Sequence, residues 1–278
     1  MSDISPINHI SLYICFGLIF FLGSNFRLVN ILFYCLHFTL YCPMSTNDWN
    51  PEDHVPSEVK DLLQNAEVGP YTYISAFIQV VELLKTQKRT GWLNMGIDNA
   101  ESISDHMYRM SIISMSLNTA NFKDNSNLST AQKEPIDLSQ CIKISLVHDI
   151  AEALVGDITP KDTTVTKQQK YERELAAIKY LGSLIDPYNS AFAKEMVNLW
   201  LDYEEQRNFE SRIVKDIDKY EFLVQAVQYE KRYKGSKRLD EFFEGTRQQI
   251  KTDEVGRLAD EILHQRVEFW RFINKNVN

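Results

Sequence analysis

The chain carries six histidines, His9, His37, His54, His106, His148 and His264, and two of them stand where chemistry is possible. His106 lies in E-S-I-S-D-H-M-Y-R-M, early in a helical pattern whose apolar positions are Met110, Ile113 and Leu117. His148 and Asp149 are adjacent in L-V-H-D-I-A-E-A-L, a segment apolar enough to be buried. Burying an imidazole beside a carboxylate is costly without a partner, and a divalent cation is one such partner. Asp218 adds a carboxylate in K-D-I-D-K-Y-E, on a helical pattern with an apolar face. Each has a plain alternative: a lone histidine at a helix start is often a cap, and an acidic-basic run is often a solvated face.

Glu152 follows His148 by four residues and Asp149 by three, so a continuous helix would bring all three to one face. Its flanks, Ile150, Ala151, Ala153 and Leu154, are apolar. An acid there can position an attacking water or protonate a leaving oxygen; the plain alternative is a surface pair. Arg89 and Trp92 precede His106; arginine suits two-point contact with phosphate, and tryptophan offers a flat wall.

The elements that must hold these residues read as helices. Tyr73, Phe77, Val80, Val81 and Leu84 recur at spacings of three and four. The same periodicity returns across 102–118, 138–154, 171–185, 192–203, 213–229 and 255–272. No stretch alternates with period two beside turn dipeptides, so an all-α body of seven to nine helices is expected. The polar stretch 121–134 reads as a loop, and Gly156-Asp157-Ile158-Thr159-Pro160 should end the central helix.

With 278 residues, the chain is long enough for one well-buried domain and an appendage. The net charge of −8, without a Lys/Arg block, argues against a nucleic-acid polymer as ligand. A small phosphate ester remains open, because a metal ion supplies positive charge locally. Cys15, Cys35 and Cys42 fall in the first 43 residues, leaving Cys141 alone in an apolar run. We expect it to be buried packing, and the body shows no sign of an oxidising compartment.

Residues 7–26 and 28–47 hold no Asp, Glu, Lys or Arg, and each run approaches the ~20 residues of a membrane helix. Met44 then opens the polar M-S-T-N-D-W-N-P-E-D-H. Residues 1–43 are accordingly expected to be a hydrophobic leader, dispensable or non-native, separate from a domain over 44–278. A membrane segment and organelle targeting are the alternatives. Membrane contact is expected only where that leader is retained; the location expected otherwise is the cytoplasm, with the nucleus allowed.

His106, then His148-Asp149, then Asp218 resembles the H…HD…D pattern of the HD phosphohydrolases. R-T-G-W, E-S-I-S-D-H-M-Y-R-M, H-D-I-A-E-A-L-V-G-D-I-T-P and D-K-Y-E-F-L-V-Q-A-V-Q-Y-E narrow the likeness. From about Trp49 onward the chain is similar to the 5'-deoxynucleotidase branch, near its eukaryotic HD domain-containing protein 2 group. The resemblance implies a single HD-domain helical bundle with His106, His148, Asp149 and Asp218 as metal ligands. Two imidazoles and two carboxylates suit manganese, cobalt, iron, zinc or magnesium. Asp216 competes for the last place, but it lies about 200° round a helix from Asp218 and lacks the K-Y-E context.

The resemblance further implies that Glu152 is catalytic, and that Asp157 and Thr159 meet the substrate. Glu152, Asp157 and the carbonyl of Ile158 would hold a second, magnesium-like ion. Arg89 would bind phosphate and Trp92 would shape the sugar pocket against a 2'-hydroxyl. Bacterial members place the arginine directly before the tryptophan, whereas Arg89 stands three residues earlier. The implied activity is metal-dependent hydrolysis of deoxynucleoside 5'-monophosphates by a homodimer. Another HD activity, on cyclic nucleotides or nucleoside triphosphates, and a non-catalytic interaction role are the alternatives.

Overall fold

Twelve α-helices and two 3-10 turns make up the described part of the chain, which in this computed structural model is residues 49–65, 67–122 and 135–276. The leader 1–43 with its three cysteines, and all but the first two residues of the expected loop 121–134, lie outside it. The helices are α1 (Ser57–Leu63), α2 (Pro70–Val81), α3 (Leu83–Thr86), α4 (Thr90–Asn94), α5 (Ile103–Ser116) and α6 (Leu138–Val147). They continue with α7 (Glu152–Val155), α8 (Lys167–Glu205), α9 (Phe209–Arg232), α10 (Asp240–Phe243), α11 (Thr246–Gln249) and α12 (Asp253–Asn276). Among the described residues there is no β-strand, only an isolated bridge between Lys88 and Ser102. None of the described helices is long and apolar enough to cross a membrane.

Helix α5 packs on α6, and α9 runs against both, while α8 lies against α2 and α12 against α9. The buried rows that drive this are Met107 and Met110, Cys141 and Ile144, and Ile213, Val214 and Ile217. Cys141 is wholly buried, and burial, with Glu210 and Asp137 nearby, pushes its thiol up to about 12, as suits packing rather than nucleophilic chemistry. A second, smaller core gathers Trp92, Ile97, Ala226, Tyr229 and Leu239.

Three departures from the expected helices bear on the site. Four short helices, α1, α4, α10 and α11, span too few turns to show periodicity. The stretches 171–185 and 192–203 are joined in one long α8, bent at Asn189 two residues after Pro187. The stretch 138–154 is broken: α6 stops at Val147 and α7 starts at Glu152. Between them the backbone tightens, with Ile150 N–H donating to Val147 and Glu152 N–H to Asp149, both at 3.0 Å. Glu152 therefore follows His148 and Asp149 across a tight turn rather than along one continuous helix face. Gly156 ends α7 as expected, with φ +80, a conformation glycine takes freely.

Candidate active site

Helix α5 is started by Ser102, whose side chain accepts from the Asp105 amide while Asp105 returns a bond to the Ser102 amide. That reciprocal cap fixes the first turn and sets His106 facing inward, fully buried. Its Nδ1 lies 2.5 Å from Glu221 on α9, and Glu221 in turn accepts from Arg109 Nε at 2.7 Å. The carboxylate has only acceptors, so the imidazole donates from Nδ1 and turns Nε2 towards Asp218 and Asp149. His148 is arranged alike: Nδ1 donates to the Ser145 carbonyl at 3.0 Å.

Both Nε2 atoms are buried and, among the described residues, lack a hydrogen-bond partner. Orphaned ring nitrogens of this kind are rare in folded proteins and call for an explanation. They converge on carboxylates. His106 Nε2 is 3.4 Å from Asp218 Oδ1 and 3.8 Å from Asp149 Oδ2, and His148 Nε2 is 3.2 Å from Asp149 Oδ2. Ligand atoms of His106, His148 and Asp218 all lie within 4.8 Å of one another. Two imidazole Nε2 atoms facing two carboxylates fit a divalent ion, which would take each lone pair in place of a proton.

The electrostatics say the same. Burial and the Arg89 charge push the His106 imidazole down, but Glu221 and Asp218 outweigh them and hold it up at about 10. Burial raises Asp218, yet His106, His148 and Lys215 hold it well below the usual carboxylate range. Burial likewise raises Asp149, and His148, Arg89 and His106 bring it far down. The cluster demands positive charge, which a bound dication supplies in place of a proton. Asp218 is further fixed by the Tyr203 hydroxyl, which donates to it at 2.8 Å.

His148, Asp149 and Asp218, with His106 buried beside them, floor a cavity of about 620 Å³, within the size range of small-molecule sites. Arg89 lines it and is paired with Asp149 at 3.0 Å. Glu152 lines it too, 3% exposed, with Oε2 unpartnered. Burial, then Asp149 and Asp157, raises the Glu152 carboxyl well above its ordinary range. Thr159 is on the wall, while Asp157 accepts from the Thr90 amide at 2.5 Å and so ties its turn to the Arg89–Trp92 segment. Trp92 is 1% exposed, its indole N–H bonded to Glu101 and its ring stacked on Phe222. Phe222 and Phe242, both half-buried against it, present the larger aromatic wall. The Ile158 carbonyl, expected to face a second ion, accepts from Lys170 Nζ at 3.0 Å.

Asp216 does not share the site. Its carboxylate accepts from the Lys251 and Thr252 amides at 2.9 and 2.6 Å, anchoring the chain where α12 begins. Sequence reasoning missed Glu221, Arg109, Tyr203, Lys170 and the two phenylalanines. Glu221 was within reach, one turn after Asp218 in D-K-Y-E; Tyr203 and Lys170 arrive from α8, with no local signal.

The HD domain family model matches residues 81–257, which contain all four candidate ligands. The chain belongs to the HD domain family. Among curated HD relatives, 5'-deoxynucleotidase YBR242W of Saccharomyces cerevisiae is 46% identical over 233 residues, covering 84% of this chain and 90% of that protein. The 5'-deoxynucleotidase YGK1 of the same yeast is 44% identical, over 81% of this chain and 97% of the relative. The 5'-deoxynucleotidase HDDC2 of Dictyostelium discoideum is 40% identical over 62% of this chain and 86% of its own length. A solved structure of the HD domain-containing protein YGK1 superposes with TM-score 0.60 at 37% identity, over 80% of this chain and all of that one.

Proposed function

We propose that this chain is a divalent-metal-dependent 5'-deoxynucleotidase, converting deoxynucleoside 5'-monophosphates to deoxynucleoside and phosphate. The observation that carries the reading is the pair of buried, unpartnered Nε2 atoms of His106 and His148 facing Asp149 and Asp218 beneath the cavity. The relatives named 5'-deoxynucleotidase, one of them 46% identical, support the substrate class. His106, His148, Asp149 and Asp218 would hold the ion; manganese, cobalt and magnesium are the identities we propose. When bound, it lowers the pKa of a coordinated water and polarises the phosphoryl oxygens.

The chain's own groups do the rest. Arg89, beside Asp149, offers a fixed positive fork to the phosphate. Glu152, buried with one free oxygen, takes the proton of the attacking water and returns one to the departing 5'-oxygen. The water oxygen bonds to phosphorus as the bond from phosphorus to the 5'-oxygen breaks. Asp157 and Thr159 shape the substrate turn, and Trp92, with Phe222 stacked on it, limits space at the sugar so that a 2'-hydroxyl fits badly. A homodimer is part of the same proposal, as is a small nucleotide rather than a nucleic-acid polymer as substrate.

The test is phosphate release from nucleoside mono-, di- and triphosphates with added manganese or cobalt. Release confined to deoxynucleoside monophosphates is the expected result; preference for di- or triphosphates would sink the assignment.

A further inference from the structure

Lys170 lines the cavity wall, and the resemblance did not foresee its contacts with Glu152 and with the turn that carries Asp157 and Thr159. It stands in the first turn of α8, and its ammonium has three oxygens around it. Ile158 O lies at 3.0 Å, Glu174 Oε1 at 3.3 Å and Glu152 Oε1 at 3.6 Å. The ammonium donates a hydrogen bond to the Ile158 carbonyl, and the two carboxylate oxygens are ion-pair contacts that balance its charge. Two of the three, from Glu152 and Ile158, are the oxygens assigned to a second divalent ion. That ion therefore does not find an open cluster, since one cation is already seated in it and two cations sharing these oxygens repel.

We propose that the Lys170 ammonium is the resident cation of this cluster: it positions Glu152 and the substrate turn, and it competes with a divalent ion for the same oxygens. The proposal rests on the reading of Glu152 as the proton-handling group. Lys170 is a positioning residue, acting through Glu152 and the Ile158 carbonyl. With one oxygen of Glu152 facing the ammonium, the other is left buried and free. The lysine also pins the 156–160 turn to α8, and that turn carries Asp157 and Thr159.

The experiment uses the full chain as wild type, Lys170→Met, Lys170→Gln and Lys170→Arg. Each is stripped of metal and titrated with Mn²⁺ alone, binding being read by calorimetry and activity by phosphate release from dAMP. In the wild type, one ion should bind tightly and suffice for turnover. Lys170→Met and Lys170→Gln should keep that ion and bind a second at least about tenfold more tightly than wild type does. At Mn²⁺ levels that fill only the tight site, their kcat should fall about ten- to a hundredfold, with KM moving far less. Raising Mn²⁺ should restore much of that loss, because the second ion takes over the cation's place, whereas a merely structural lysine would give no such rescue. Lys170→Arg should stay near wild type at low metal. The glutamine variant keeps a polar end group, so a folding defect peculiar to methionine does not decide the result. Unchanged second-ion affinity, or full activity of Lys170→Met and Lys170→Gln at limiting metal, overturns the proposal. If the wild type hydrolyses no nucleotide, the functional reading fails, and the Mn²⁺ titrations still decide the role of Lys170.

Discussion

The two ends of the cavity are built by different physics. At the floor, His106, His148, Asp149 and Asp218 are held by a relay of charged and hydrogen-bonded neighbours, with Glu221, Arg109, Ser145 and Tyr203 behind them. At the wall, Trp92, Phe222 and Phe242 are held by ring packing, with centroids 4.8 to 5.2 Å apart, and Trp92 adds one bond to Glu101. Charged networks fail sharply when one member is lost, because the others become buried and unpaired. Packed rings lose area and shape more gradually. Chemistry and selectivity should therefore separate under mutation.

The largest effect belongs to the floor. Replacing His148 or Asp149 with Ala should remove both metal content and turnover, measured by elemental analysis and phosphate release; a variant that kept both would break the division. Glu152→Ala comes next. It should keep the ion and lose about a hundred- to ten-thousandfold in kcat, as removal of a proton-handling group does. Loss of metal instead would make Glu152 a ligand of the main ion.

Glu221→Gln probes the support behind the floor. It leaves His106 in place but weakens the carboxylate that orients it, so main-ion affinity should drop about ten- to a hundredfold. Unchanged affinity would mean that Glu221 only balances Arg109. The smallest effect on chemistry belongs to the wall. Trp92→Ala should lower a dAMP over AMP preference of about ten- to a hundredfold towards one, since stranding a hydroxyl costs ~1–3 kcal/mol. It should also destabilise the fold by about 3–5 kcal/mol, readable in denaturant, because nearly all of the ring is packed against protein. A variant that discriminates as well as wild type would pass selectivity to Phe222 and Phe242.

The same contrast explains what was legible in the sequence. His106, His148, Asp149 and Asp218 stood out because rare polar residues interrupt apolar helix faces in a recognisable order. Asp216 and Asp218 could be told apart by helix angle, and the structure gives Asp216 its own task at the start of α12. The break between α6 and α7 was hidden, because apolar residues continue through the turn and periodicity does not register a tightened backbone. Tyr203 and Lys170 were hidden for another reason: both lie on α8, and their meeting with Asp218, Glu152 and Ile158 is a product of packing alone. Phe222 and Phe242 carry no local signal either, and it is α10 that lays one ring beside the other.

The most direct test of the account strips the protein with a chelator and returns Mn²⁺ in steps while phosphate release from dAMP is followed. Activity should be absent without metal, rise in proportion to the tightly bound ion, and level off as His106, His148, Asp149 and Asp218 fill, with no rise in the His148→Ala protein. Full turnover of the stripped wild type, or recovery in His148→Ala equal to wild type, would contradict it.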